Sequence, residues 1–149
     1  MKAFLLNTLA FMLMTISSCA QNTLKIDENT DLKKIERELV NHFQKIDILK
    51  NVKDMNSFEL YRAENGLLLV TGQGTEIKDG VTWNVSFRVA VVDASLSAMA
   101  ESCSGNNCEK CKFLSKGGCD CERVGSIGGG ASYCNHTITK GFAELMSSY

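Results

Sequence analysis

Hydrophobic positions along this chain change period several times, and each change marks an element. Ala3 to Met14 is a short apolar run broken by Asn7 and Thr8, with Lys2 before it and the small residues Ser17 and Ser18 after it. Ala20 to Asn29 is polar and reads as a tether. From Asp31 onward, Leu32, Ile35, Leu39, Phe43, Ile46 and Leu49 recur at three- and four-residue steps while Lys33, Lys34, Glu36, Arg37, Glu38, Asn41 and Lys45 fill the remaining positions. That spacing predicts an amphipathic helix from about Asp31 to Val52. Asn29 or Thr30 would cap it, and Asp31 would sit at the positive end of its dipole.

After Asn56 the period shortens to two. Phe58 to Arg62 alternates, Glu64-Asn65-Gly66 turns, and Leu67 to Val70 is a short buried run. Trp83, Val85, Phe87, Val89 and Val91 place five apolar side chains on one face of a strand, with Asn84, Ser86 and Arg88 on the other. Asp79-Gly80 suits a type I′ turn joining Thr71–Lys78 to Val81–Val92 as a hairpin. Gly72 and Gly74 predict a bulge or bend in its first arm. The Trp83 and Phe87 stripe reads as core rather than as a ligand pocket. Near the end of the chain, Phe142, Leu145 and Met146 support a short helix within Thr139 to Tyr149. The expected fold is α+β, with a long N-terminal helix packed on a small antiparallel sheet, a disulfide-rich loop lobe and a short C-terminal helix.

The charged start, short apolar middle and small residues of the first 18 positions have the parts of a secretory signal. Crossing a bilayer as a helix takes about 20 apolar residues, more than this run holds. Ile16-Ser17-Ser18-Cys19 then resembles the bacterial lipobox, an aliphatic residue and two small ones before a cysteine, here with Ile first and Ser third. The resemblance implies that Cys19 is acylated, that cleavage falls just before it, and that the mature protein is held on a membrane by that lipid. Ala20, rather than Asp, after the cysteine implies sorting to an outer membrane, facing the periplasm or the surface. The chain thus resembles small cysteine-rich bacterial lipoproteins whose function the family does not name. The expected organisation is a signal peptide over residues 1–18, a tether over 19–29 and a single domain over 30–149 with a cysteine-rich lobe over 103–134.

Losing the signal removes Lys2 and leaves 15 basic against 17 acidic residues. No Lys/Arg cluster remains to meet a phosphate backbone, so no nucleic-acid partner is expected. Seven cysteines is an odd number, which in an exported protein leaves one thiol over. Lipidation of Cys19 would remove it.

The other six follow the spacing Cys103-x4-Cys108-x2-Cys111-x7-Cys119-x-Cys121-x12-Cys134 in a glycine-rich segment with few apolar residues. Ordering each residue costs about 1–2 kcal/mol of chain entropy, so such a segment needs crosslinks or metal. Outside the cytoplasm disulfides are the expected solution. Their pairing stays open, except that Cys119 and Cys121 are too close to pair with each other comfortably. The alternative is a thiol-active site in which Cys108, Cys111, Cys119 and Cys121 bind zinc or copper(I), with His136 as a conceivable extra ligand. A thiol–disulfide exchange role for Cys108-Glu109-Lys110-Cys111 has little support, because the chain has no proline to oppose the motif. Cys103, Cys108 and Cys111 also match three ligands of plant-type ferredoxins, over nine residues and without the remaining pattern.

No GxSxG, HExxH or phosphate-loop motif is present, and Gly128-Gly129-Gly130 lacks the Lys and Thr that would grip phosphate. Asn84-Val85-Ser86 and Asn135-His136-Thr137 fit the glycosylation sequon, which has no consequence in a bacterial host. The sequence therefore predicts no catalytic residue and no resident cofactor. It predicts a membrane-attached, non-catalytic binding or envelope-structural module.

Overall fold

A computed structural model describes residues 24–106, 108–114, 118–122 and 133–148. Cys19, the 1–18 signal and the Gly128–Gly130 run lie outside the described residues. Helices α1 (Glu36–Phe43) and α2 (Lys140–Ser147) flank strands β1 (Lys53–Arg62), β2 (Leu68–Lys78), β3 (Val81–Val92), β4 (Ser95–Asn106), β5 (Lys110–Phe113), β6 (Cys119–Glu122) and β7 (Tyr133–Ile138). Five of the strands form one antiparallel sheet in the order β1-β2-β3-β4-β7, and β5 pairs with β6 as a separate hairpin.

The expected α+β fold with a long N-terminal helix is incorrect: the chain is mostly β, and both helices are short. The segment from Asp31 to Val52 is broken into a 3-10 turn (Leu32–Ile35), α1 and a second 3-10 turn (Asp47–Leu49). After Phe43 the bonds tighten, with the Lys45 and Ile46 amides donating to His42 and Phe43 three residues back, and Ile46 itself is extended. Leu32, Leu39, Phe43, Ile46 and Leu49 are nonetheless all buried. Three- and four-residue spacing needs only successive helical turns on one surface, not a straight rod. By bending, the segment brings Val52 over the middle of the sheet and delivers Lys53 into β1. A rod of that length would carry the chain past the sheet.

The β2–β3 hairpin forms as its turn chemistry requires. Asp79 and Gly80 both have positive φ (51° and 75°), and Lys78 pairs with Val81. Gly72 and Gly74 do not bulge, since they pair in unbroken register with Phe87 and Val85. They allow close approach instead. A Cβ on Gly72 would lie 2.5 Å from Phe87 Cζ and 2.9 Å from Phe58, and one on Gly74 2.6 Å from both the Lys53 carbonyl and Val52. The register shifts fall in β1, between Lys53 and Asn56 and between Asn56 and Glu59. Over the glycines the Phe43 ring packs 5.3 Å from Phe87 and 5.7 Å from Phe58, and Val70, Val85, Val89 and Ala100 complete this core face. Trp83 and Phe87 are both buried, as a core stripe should be.

β4 was not expected. It follows a turn in which Asp93 and Ala94 both adopt positive φ (51° and 58°) without a glycine to signal it, and its residues are mostly Ser, Ala and Gly. It still runs the length of β3 and lies inside the sheet, between β3 and β7. Ala100, Ser102 and Ser104 face the core beside Val89, Phe87 and Val85, and Glu101, Cys103 and Gly105 face the other way, where the second face is covered in two parts. At one end that cover is α2, capped by Thr139, whose Phe142 is fully buried against Leu69 and Ala90. At the other end it is the β5–β6 hairpin.

Replacing Gly72 by Ala should destabilise the oxidised protein by about 1–3 kcal/mol through overpacking against the two Phe rings. The change should appear in a urea titration as a lower midpoint at unchanged slope. An unaltered midpoint would mean that the rings do not sit over this strand.

Candidate functional site

Among the described residues the cysteine segment is mostly strand, not the loop lobe expected. β4 carries Cys103, fully buried, and Cys111 and Cys121 sit directly opposite each other in the β5–β6 ladder without bonding. The bridges join Cys103 to Cys119, Cys108 to Cys121 and Cys111 to Cys134, with Cα separations of 5.7, 5.6 and 6.1 Å. All lie in the usual range for a disulfide. Cys119 and Cys121 alternate with exposed Asp120 and reach different partners, as their spacing demands. The hairpin is thereby fastened to β4, to the β4–β5 link and to β7.

The sulfurs gather in one place. Cys108 Sγ lies 3.5 Å from Cys134 Sγ and 3.8 Å from Cys111 Sγ, neither of them its bonded partner. Gly105 makes room: a Cβ there would collide with Cys111 Sγ and come within 3.0 Å of the Tyr133 carbonyl. The thiol set Cys108, Cys111, Cys119 and Cys121 is not brought together as expected, because Cys119 is committed to Cys103 on β4. Cys134 takes its place, and the sulfurs of Cys108, Cys121 and Cys134 fall within 4.8 Å of one another. His136 is not beside them as a ligand. Its Nε2 lies 2.8 Å from Glu101 Oε2.

That contact belongs to a buried ionic group that sequence reasoning missed. Arg88 on β3 and Glu101 on β4 are register partners, and the guanidinium lies 2.6 Å from Glu101 Oε1. Phe113 of β5 covers Arg88 with its ring centroid 3.9 Å from the guanidinium carbon. The Glu101 side chain is only 5% exposed, so its charge is balanced by these neighbours rather than by water. Burial pushes the Arg88 pKa down from its ordinary value, opposed by the charges of Glu101 and Tyr61 and by the Glu101 hydrogen bond. Among the described residues Arg88 Nε has no hydrogen-bond partner. Arg88 reads as an outward polar position from the alternation of β3. Only the existence of β4 and of a lobe above it makes that position an interior one.

The lobe is also tied down by Asn84, whose amide donates to the carbonyls of Cys108 (2.9 Å) and Glu109 (3.1 Å). That sequon asparagine is therefore a structural clamp. A concavity of about 670 Å³ lies elsewhere, between Ile26–Asn29 and the β1–β2 turn, and its Arg62 is already engaged by Glu28 and the Gly66 carbonyl. Compared with protein-family models, curated proteins and solved structures, the chain matches none.

Glu101→Gln should cost about 3–5 kcal/mol, the usual penalty for leaving a buried charge without its partner. The double variant Arg88→Met with Glu101→Leu should recover most of that loss. Urea titrations of both, with the bridges intact, decide it. A single variant close to wild type would show that the pair is not buried beneath the lobe.

Proposed function

We propose that the protein is an exported, lipid-anchored and non-catalytic binding or envelope-structural module of the bacterial cell surface, which holds its cystine lobe away from the membrane. One observation carries this reading: the chain enters the domain at the end opposite the β2–β3 turn beside which the lobe sits. Lys25 bridges to Ser95 and the Ile26 amide donates to the Ala94 carbonyl, so entry is at the β3–β4 turn. The lobe is held over the other half of β3, at Asn84 and Arg88. β3 has 12 residues, whose end-to-end steps of about 3.3 Å together span about 36 Å. From Cys19 to Leu24 the chain can reach at most about 17 Å. A lipid on Cys19 would thus keep the entry end close to the membrane, point the lobe outward, and sort to the outer membrane by the residue that follows the cysteine. Three disulfides suit an oxidising compartment outside the cytoplasm.

A second reading is favoured by the gathered sulfurs. If the lobe works reduced, Cys108, Cys121 and Cys134 form a thiol-active group able to take zinc or copper(I), with Cys111 beside Cys108 as a fourth thiol and Cys134 replacing Cys119 in the set.

Intact mass spectrometry of protein extracted from bacterial membranes, alkylated with and without prior reduction, separates these readings. The expected result is loss of Met1 to Ser18, acyl mass on Cys19, and six cysteines alkylated only after reduction. Alkylation of Cys108, Cys111, Cys121 or Cys134 without reduction, or bound zinc or copper, would replace the first reading by the second. A chain that keeps its first 18 residues and carries no lipid would remove the anchored address.

A further inference from the structure

Beside the lobe the second face of the sheet is left open and polar. Two adjoining hollows of about 200 and 160 Å³ run along β2 between β1 and β5, and share Gln73, Ser86 and Lys110. The floor is made by alternate residues of two paired strands, Thr71, Gln73 and Thr75 on β2 and Ser86 on β3, with Gln73 directly opposite Ser86. Ser86 is only 9% exposed, and its hydroxyl and the half-buried Gln73 amide stand side by side on the floor of the cleft. A few convergent polar groups on the floor of a cleft are what orient a polar ligand.

The two walls differ in charge. In the larger hollow the β5 side presents exposed Lys110 and Lys112, neither of which joins an ion pair among the described residues, whereas the smaller hollow is lined by Glu109 and Asp54 beside Lys110. On the β1 side stands Glu59, and this wall is shaped by the two register shifts and by Asp54 and Ser57, non-glycine residues held at φ 50° and 55°. Asp54 is fixed by the Thr75 hydroxyl, 3.1 Å away. Left-handed residues inside a strand are costly, and they persist where the local shape is used. Phe113 lines the cleft from β5, and Arg88 already occupies its ring. A peptide would find no apolar pocket for an anchor side chain. A hydroxyl-rich acidic chain would find a partner for each of its groups.

We propose that this cleft binds an acidic polysaccharide: Lys110 and Lys112 take uronate carboxylates, the Gln73 amide and Ser86 hydroxyl take ring hydroxyls, and Glu59 accepts from hydroxyls on the opposite side. This deepens the reading of the protein as a binding module, and it places the ligand beside the outward-facing lobe. It does not depend on the lipid, which mass spectrometry tests separately.

Isothermal titration of the oxidised full chain in detergent with tetragalacturonate, and with the neutral tetramer of galactose as control, decides it. The expected result is binding of the acidic oligomer that weakens as salt rises, and much weaker binding of the neutral one. Lys110→Ala with Lys112→Ala should weaken binding about tenfold, and Gln73→Leu by about as much. The same charge removed at exposed Lys33 and Lys45 should change nothing. Far-UV circular dichroism and the alkylation pattern establish that each variant is folded and bridged. No measurable binding of tetragalacturonate, equal binding of the neutral tetramer, or equal weakening by the Lys33 and Lys45 changes would each overturn the proposal.

Discussion

The constraint on which the rest of this structure depends is that one sheet has two faces and only one of them receives the N-terminal helical segment. The covered face is closed by conventional packing, with Phe43, Phe58 and Phe87 meeting over Gly72. The second face has too little apolar matter to close itself. Leu69 and Ala90 meet Phe142 of α2 at one end, but toward the β2–β3 turn the positions on this face become Arg88, Glu101, Cys103 and Gly105. No layer of ordinary side chains would bury those, and the β5–β6 hairpin that does so has almost no core of its own beyond cysteine and Phe113. Crosslinking is what allows so small a cover to stay in place.

The ionic group and the lobe consequently depend on each other. Arg88 and Glu101 can share a dry site only because Phe113 lies over them, and Phe113 lies there because Cys111 and Cys119 fasten its hairpin on both sides. Conversely, a charge pair that must be fully partnered gives the hairpin one favourable register over the sheet, whereas apolar contact alone would tolerate sliding. Burying charge is rarely a net gain in stability, so registry is the better account of why such a pair sits beneath a cover held by covalent bonds.

What could be read from the sequence follows from how local its cause was. Asp79-Gly80 is a two-residue signal and formed the turn it predicts, and Thr139 caps α2 within the expected Thr139–Tyr149 segment. The apolar positions from Leu32 to Leu49 were correctly seen as one buried face. Their period could not distinguish one straight helix from three short turns, because that choice is made by the sheet beneath. β4 was invisible since Ser and Ala carry little strand preference and its turn, Asp93-Ala94, lacks glycine. With β4 unread, the partner of Arg88 and the position of Cys103 were unreadable too. Six cysteines with a need for crosslinks were legible; that Cys134 rather than Cys119 joins the sulfur cluster was not, since only β7 pairing with β4 brings it there.

The connectivity also bears on how such a lobe can be made. Among the six cysteines of the lobe the bridges join first to fourth, second to fifth and third to sixth, so every bridge opens before the preceding one closes. If the chain met an oxidant as it emerged from its N-terminus, Cys103, Cys108 and Cys111 would meet first, and none of these pairs is native. Thiol exchange must therefore undo early bridges, or oxidation must wait until β7 has paired with β4 and delivered Cys134. In either case the sheet selects the bridges rather than the reverse. Gly105 makes that selection possible, because it is the point on β4 where Cys111 and Cys134 can pass close enough to meet. The covalent bonds stabilise a lobe whose position non-covalent strand pairing has already chosen.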